Sequence, residues 1–420
     1  MANPRGIIDL GLGRIKHLLA ELGNPERLLK RIVHVTGTNG KGSTVEMVAT
    51  GLSQLGWKVG VFTSPFLIFE NDAIRVFEVD NIMSIPECEW KNIQSRVATI
   101  ITTCMRDDVP TDFEVLVAVA LVYFSALDLD AVIVEVGMGG REDATNIFQR
   151  GPTVCVLTGV ALDHQKFLGE TVEEICENKC GIIHEGSIVV ASGQMSESCR
   201  SIVTMNASSN NASHVHFVKT DTCTDIISPL NGAHQRVLAG IATSVIQCLM
   251  PHVARNDILA ALSSTVLPGR LERRFDRSVG FPLILDGAHN PESAVALRDF
   301  VKQELESTGK KNIIWILACS KGRENIIPIL VHAGDVCVPI EFQSYQEQTA
   351  QWIQAIDVDT LADCVQSTGA TIVRRGRFVE SALRDVRSEM NFDVSLVVVA
   401  GSLYLVRNYL RYVCSMANIS

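Results

Sequence analysis

A chain of 420 residues exceeds what one hydrophobic core usually organises and predicts two domains. Hydrophobic residues make up 47% and charged residues 20%, an ordinary balance for a protein with large buried sheets. A formal net charge of −10 argues against a grip on nucleic acid, which needs clustered Lys and Arg, and the lack of any run of about 18 apolar residues argues against a membrane span.

The opening Met-Ala-Asn-Pro-Arg-Gly carries no apolar leader. Twelve scattered cysteines form no CxxC pair, and several lie in apolar runs, as in Val154-Cys155-Val156. Buried, reduced thiols in a cytoplasmic protein are the expectation, with a mitochondrial address left open.

Strands and helices then alternate. Residues 32–35 read as an apolar strand running into Thr36-Gly37-Thr38-Asn39-Gly40-Lys41-Gly42-Ser43-Thr44, followed by a helix with Val45, Val48, Ala49 and Leu52 at helical spacing. Residues 58–62 read as a strand, 113–126 as a buried helix, and 131–136 and 154–160 as apolar strands. An apolar strand is expected directly after Lys179, at Ile182-Ile183. The Ser-, Asn- and Thr-rich stretch 192–231 reads as surface turns around a strand at 214–218, and 237–249 as a helix. The pattern breaks at Leu267-Pro268-Gly269 and restarts with strands at 283–285, 313–318 and 395–400. Such alternation predicts parallel sheets covered by helices, with domains at 1–265 and 266–420.

Four motifs carry chemistry. In Gly37–Ser43 the glycines let successive N–H groups turn toward phosphate oxygens, the next helix adds its positive N-terminus, and Lys41 supplies a charge. The spacing is a variant of the common phosphate loop, with Gly42 between the lysine and the hydroxyl residue. Glu135 ends an apolar strand, where a carboxylate must be paired, metal-bound or capped by backbone N–H groups. Asp163-His164 follows another apolar strand; alone, His164 reads as a metal ligand or, more ordinarily, a hydrogen-bonded loop residue. Lys179 sits at a helix end, where by itself it would simply face the helix dipole.

The order of these motifs resembles the Mur ligase superfamily, in its folylpolyglutamate synthase and dihydrofolate synthase branch. The likeness runs from about Ile8 to Val406 and includes Phe62-Thr63-Ser64-Pro65, the run from Glu135 to Ile147, Lys179-Cys180-Gly181-Ile182-Ile183, Pro268-Gly269-Arg270, Asp286-Gly287-Ala288-His289-Asn290-Pro291 and Gly401-Ser402-Leu403-Tyr404. It implies an N-terminal ATP-binding domain with a mainly parallel sheet and a smaller, Rossmann-like C-terminal glutamate-ligase domain. It implies ATP held between the two by Asn39, Gly40, Lys41, Gly42, Ser43, Arg270 and Asp286. It implies two Mg2+ sites, drawing on Ser64, Glu135 and His164, and catalytic roles for Lys41, Glu135, His164, Lys179 and His289. A carbamoylated Lys179 and a monovalent cation are further expectations. The pterin end of the substrate is expected at Ile8, Asp9, Leu10, Gly11, Thr111, Asp112, Phe113, Glu114, Glu142, Asp143 and Ala144.

The implied reaction joins a folate-type carboxylate to the amine of L-glutamate through an acyl phosphate, by a monomer without nucleic-acid or membrane partners. Dihydropteroate as substrate would make it a dihydrofolate synthase; extension of a glutamate tail on folate, or both activities, are the alternatives. A peptidoglycan ligase is disfavoured because only 36 residues precede Gly37, too few for its nucleotide-sugar domain, and a non-catalytic relic because Lys41, Glu135, His164 and Lys179 are all present. The chain departs from the family at Phe66, where His is usual, at Asp72-Ala73, where Glu-Arg is usual, and at Leu238, where an Asn that touches the nucleotide is common. The Asp72 form resembles the fungal dihydrofolate synthases.

Overall fold

The computed structural model describes residues 9–148, 151–219, 228, 230–343, 354–389, 391–392 and 394–417. Two compact units divide them. The first holds the described residues up to 266 except 230–233; the second holds 230–233 and those from 267 on.

In the first unit the chain runs α1 (Gly13–Glu21), β1 (Ile32–Thr36), α2 (Lys41–Gln54), β2 (Val59–Phe62), β3 (Ile74–Glu78), β4 (Asn81–Ser84), α3 (Glu87–Cys104), α4 (Asp112–Ser125), β5 (Ala131–Glu135) and β6 (Val154–Leu157). It continues through α5 (Gln165–Leu168), α6 (Val172–Lys179), β7 (Ile188–Ser192), α7 (Glu197–Ser209), β8 (His214–Val218), α8 (Ala233–Leu249) and α9 (Arg255–Leu262). The sheet order is β4-β3-β2-β5-β1-β6-β7-β8, parallel except where β3 and β4 fold back antiparallel at one edge. β1, β5 and β6 are buried along their whole length, so they read as mainly apolar runs rather than alternating ones, interrupted only by His34 and Thr36 in β1 and Glu135 at the end of β5.

β1 is flanked by β5 and β6, in the registers Val35↔Glu135 and Val35↔Val156. On one side of β1 lie β2 to β5 and on the other β6 to β8, so the chain changes direction across β1, whose carboxyl end is a switch point where open parallel sheets bind ligands. One core packs Ile15 and Leu18 of α1, Trp90 and Val97 of α3, and Leu116 and Leu121 of α4 against Phe62, Val132 and Val134. A second packs Cys176 of α6 and Val203 of α7 against Cys155, Leu157 and Val189. The departure at Phe66 places its ring in the first core, with about 6% exposure.

The second unit runs β9 (Glu272–Phe275), β10 (Pro282–Leu285), α10 (Pro291–Thr308), β11 (Asn312–Leu317), α11 (Ile327–Leu330), β12 (Val336–Pro339), α12 (Val358–Gln366), β13 (Thr371–Ile372), α13 (Val379–Glu389), β14 (Ser395–Ala400) and α14 (Leu403–Ala417). Its sheet order is β13-β12-β11-β14-β10-β9, with only β9 antiparallel. Trp315 on β11 is fully buried and donates Nε1–H to Asp335, which also pairs with Arg298. Both units are therefore α/β layers built on mostly parallel sheets.

Three readings change. Residues 197–209 form α7, not surface turns: Ser196 caps it by accepting from Cys199 N–H, and Cys199, Val203 and Ala207 bury one narrow stripe. The polar residues on the other face hid that spacing; residues 220–227 and 229 of the same stretch lie outside the described residues. No strand follows Lys179 directly. A 3-10 turn spans Cys180–Ile182, and β7 begins at Ile188. β6 ends at Leu157, because residues 158–161 turn away to meet the phosphate loop.

Candidate active site

The phosphate loop fills the turn between β1 and α2. Gly40 adopts φ +84° at the N-cap of α2, a left-handed conformation that glycine enters without a Cβ penalty. Gly37 is needed for space: a Cβ there would lie 1.9 Å from Thr158 Oγ1. Thr158 uses that hydroxyl to donate to the Asn39 carbonyl at 2.6 Å. Thr38 and Ala161 exchange bonds in both directions, Thr38 Oγ1 donating to Ala161 O at 3.1 Å and Ala161 N donating back at 3.0 Å. The loop is thus stapled to the segment that leads into Asp163 and His164. Lys41 folds its ammonium over the loop, donating to the carbonyls of Gly37 and Thr38 at 3.0 and 3.3 Å.

Helix α8 lies against this loop. Gln235 Nε2 donates to Ser43 Oγ at 3.3 Å, a contact between residues 192 apart that the sequence does not reveal. The Leu238 side chain packs where a Cβ on Gly40 would fall, 2.8 Å away. At this departure from the family the loop meets an apolar surface rather than an amide.

Glu135 sits beside the loop at the end of β5, about 6% exposed. Its Oε2 accepts the Ser64 backbone N–H at 3.3 Å, and it lies 3.8 Å from where a Cβ on Gly42 would be. Ser64 and Glu135 therefore meet, as the parallel pairing Phe62↔Val134 requires. His164 occupies a different neighbourhood. It takes φ +50° as the N-cap of α5, its N–H donates to Asp163 Oδ1 at 2.9 Å, and its Nε2 lies 3.8 Å from Asp163 Oδ2. Among the described residues no three His, Cys, Asp or Glu side chains converge as a metal cage.

Lys179 is 3% exposed at the end of α6. Burial, reinforced by Lys41, drops its ammonium from 10.5 to about 7, while Asp163 and Asp143 oppose that fall. Asp163, only 9% exposed, thus sits electrostatically between His164 and Lys179. The sequence alone gives Asp163 no role, and its one signal is a carboxylate just beyond a buried strand, as Glu135 is at the end of another.

The three segments expected to hold a pterin come together across more than 100 residues of chain. Gly11 N–H donates to the Glu142 carbonyl at 3.2 Å. Arg14 Nε donates to Glu114 Oε2 at 3.0 Å, and its Nη1 and Nη2 reach the carboxylate and the carbonyl of Asp9. Thr111 and Glu114 form a capping box at the head of α4, with Asp112 in its first turn. Glu114 Oε1 remains buried without a hydrogen-bond partner among the described residues. Phe113 presses its ring on Gly137, whose Cβ would lie 2.5 Å from the ring and 3.1 Å from Asp143 Oδ2. Leu10 is half-buried, Ala144 is buried, and Ile8 lies outside the described residues.

In the second unit, Asp286 spends both oxygens on backbone: Oδ2 accepts Leu271 N–H at 2.7 Å and Oδ1 accepts Ala288 N–H at 2.8 Å. That clasp holds Leu271 in the left-handed region at φ +46°, which fixes the turn carrying Arg270. An Arg270 guanidinium nitrogen lies 2.9 Å from where a Cβ on Gly287 would fall. His289 Nδ1 donates to the Gly287 carbonyl at 3.1 Å, and Asn290 caps α10 by accepting Ser293 N–H. The departure at Asp72 is also explained: its oxygens accept Phe69 N–H and Ser84 Oγ–H at 2.8 and 3.0 Å, closing the loop before β3.

Comparison with known proteins fits this arrangement to both halves of the chain. The Mur ligase middle domain family matches residues 35–236, and the family described as dihydrofolate synthetase, C-terminal domain, matches residues 271–412. The dihydrofolate synthetase of Saccharomyces cerevisiae is 30% identical, over 96% of this chain and 98% of its own. The chain belongs to the dihydrofolate synthase and folylpolyglutamate synthase family. Another relative, the dihydrofolate synthase/folylpolyglutamate synthase of Bacillus subtilis, is 33% identical over 76% of this chain and 77% of its own. Among solved structures, the folylpolyglutamate synthase of Thermotoga maritima superimposes with a TM-score of 0.78 at 25% identity, over 98% of this chain and 95% of that one. Family members are ATP-dependent ligases of folate metabolism, and so is this chain. Among the described residues no helix is long and apolar enough to cross a membrane.

Proposed function

We propose that this ligase joins L-glutamate to 7,8-dihydropteroate and forms dihydrofolate through an acyl phosphate. The observation that carries the reading is the end-to-end likeness to a protein named dihydrofolate synthetase, joined to a C-terminal domain family of the same name. The buried Glu114 Oε1, without a hydrogen-bond partner among the described residues, fits a pterin-bearing substrate of either kind, since a pterin brings amino and amide N–H groups that a carboxylate oxygen can accept.

A carboxylate resists attack by an amine because its leaving group is oxide. Transfer of a phosphoryl group from ATP gives it a good leaving group; the glutamate amine then attacks, and phosphate departs. The N–H groups of residues 37–43 and the head of α2 would hold the phosphates, with Lys41 moving from its carbonyl contacts onto phosphate oxygens. Arg270, fixed by the Asp286 clasp, offers a second charge. The donor set at Glu135 and Ser64, one carboxylate and one hydroxyl beside a phosphate loop, fits magnesium, which binds through few carboxylates and completes its shell with phosphate and water. Bound there, magnesium would neutralise charge on the transferring phosphoryl group. Lys179, its ammonium lowered to about 7, offers a large fraction of neutral amine near that pH, and the amine is suited to add carbon dioxide, lose a proton and become an anionic carbamate. The catalytic, nucleotide and pterin roles named from sequence stand as part of this proposal, as do the monomeric state and the domain boundary at residue 266.

Phosphate release with ATP, magnesium and glutamate, run with dihydropteroate and separately with tetrahydrofolate, tests the assignment. Release only with dihydropteroate is expected. Release only with tetrahydrofolate would reverse it in favour of tail extension, and release with both would make the enzyme bifunctional, as the name of the Bacillus subtilis relative describes that protein.

A further inference from the structure

His34 stands in the middle of β1, fully buried, on the central strand of the first sheet. Its strand neighbours Val33 and Val35 are apolar, and an apolar residue would fit the position without burying an imidazole. Its Nε2 lies 2.8 Å from Thr145 Oγ1, and its ring meets Phe148 edge-on at 5.7 Å. Nδ1 is buried with no hydrogen-bond partner among the described residues. Among the described residues, the hydrogen bonding of this side chain is therefore done at Nε2.

Proton direction along the chain of contacts follows from Asp143. That carboxylate is 2% exposed and accepts Thr145 N–H at 3.0 Å and Met138 N–H at 2.8 Å, so two backbone donors already face it. Burial raises the Asp143 pKa, but backbone N–H groups donate to both of its oxygens, Thr145 to Oδ1 and Met138 to Oδ2, and favour the charged form; toward that carboxylate, which has no proton to give, Thr145 Oγ1 donates its single proton at Oδ1. Thr145 Oγ1 is left only able to accept, and His34 must hold its proton on Nε2. The bare Nδ1 is the expected counterpart of that tautomer. Burial keeps the ring neutral, with its protonation pushed down to about 3. A second histidine holds the next residue in the same way: His184 Nε2 donates to Asn146 Oδ1 at 2.8 Å, and Asn146 in turn donates to the carbonyls of Arg141 and Gly181.

We propose that His34 is a positioning residue for the pterin end of the substrate, acting as the Nε2–H tautomer through Thr145 to hold Asp143 and with it the 142–144 segment. This rests on the reading that residues 142–144 touch the pterin. His34 touches no substrate; it fixes the one Thr145 rotamer that keeps Asp143 closed on the turn after β5.

Two measurements test it. Imidazole 15N NMR of the intact wild-type enzyme at neutral pH should place the His34 proton on Nε2 and leave Nδ1 bare; a proton on Nδ1 overturns the relay. Kinetics form the second arm. His34→Leu and Thr145→Val should each raise KM for dihydropteroate on the order of tenfold, leave KM for ATP within about twofold, and be no worse in combination. His34→Gln, whose amide can donate from the Nε2 position, should recover most of the loss. Equal rises in both KM values, additive losses, or no recovery by His34→Gln would overturn the role. Should His34→Leu fail to fold, Thr145→Val and the spectrum still decide. Should wild type accept only tetrahydrofolate, the substrate assignment fails on its own, and the same KM comparison made with tetrahydrofolate still judges His34.

Discussion

The Ser64 backbone N–H donates to Oε2 of Glu135 at 3.3 Å, joining the exits of two adjacent parallel strands 71 residues apart in the chain. The contact orients a buried carboxylate beside the phosphate loop without neutralising it. Glu135→Gln keeps an acceptor for Ser64 but removes the charge. Glutamate-dependent phosphate release should fall by about a hundredfold or more, and added magnesium should not restore it. Thermal unfolding should stay within a few degrees of wild type. Loss of activity together with loss of the folded state would mean that the carboxylate serves mainly to hold the strand ends.

Gly37 and Thr158 allow a test of the phosphate loop by steric reasoning. A Cβ on Gly37 would sit 1.9 Å from Thr158 Oγ1 and 3.2 Å from Thr158 Cβ. Gly37→Ala should weaken ATP binding by about a hundredfold, because either the loop must open or Thr158 must swing its hydroxyl off the Asn39 carbonyl that it holds. Adding Thr158→Ala removes the worse clash and should recover part of the loss. Full recovery would contradict the geometry, since the second contact and the φ of +155° remain. Isothermal titration with a non-hydrolysable ATP analogue reads both variants.

What could be read in advance followed from periodicity and burial. β1, β5 and β6 are central and buried throughout, so their apolar runs were plain, and the phosphate loop had to follow the first of them. α7 was missed because its buried stripe is only Cys199, Val203 and Ala207, set among serines and asparagines. The Glu135–Ser64 pairing and the convergence of residues 9–11, 111–114 and 142–144 depend on strand order, which spacing along the chain does not reveal. Resemblance supplied those groupings. The proton direction from His34 to Asp143 was beyond sequence altogether, because it depends on a count of donors around one carboxylate.

Asp286 offers a test within the second unit alone. Its two oxygens accept Leu271 and Ala288 N–H groups, and an amide can present only one acceptor. Asp286→Asn should set an NH2 against a backbone N–H and destabilise that unit by about 1–3 kcal/mol. It should also release Leu271 from its left-handed turn and misplace Arg270. KM for ATP should rise with it. A variant with unchanged stability and a raised KM would show direct contact with the nucleotide as the main role of Asp286.

Lys179 couples activity to pH in a direction that can be worked out. Its ammonium titrates near 7 in the folded protein and at 10.5 in the unfolded chain. Between these values the unfolded state binds more protons, so stability rises with pH across that window and is lowered by a constant amount below it. Lys179→Met removes the buried charge and should therefore raise the melting temperature, with a gain that is largest at pH 7 and below and shrinks toward pH 10. Activity should move the other way. The neutral amine is the form that adds carbon dioxide, so wild-type turnover should climb as pH rises through about 7, and bicarbonate added to a depleted sample should stimulate more at pH 8 than at pH 6. Lys179→Ala should lose most turnover and regain a part with a small carboxylate such as acetate, which can stand where a carbamate would. A pH profile unchanged in Lys179→Ala, with no response to bicarbonate in wild type, would leave Lys179 as a buried helix-end cation and assign the rise to another group.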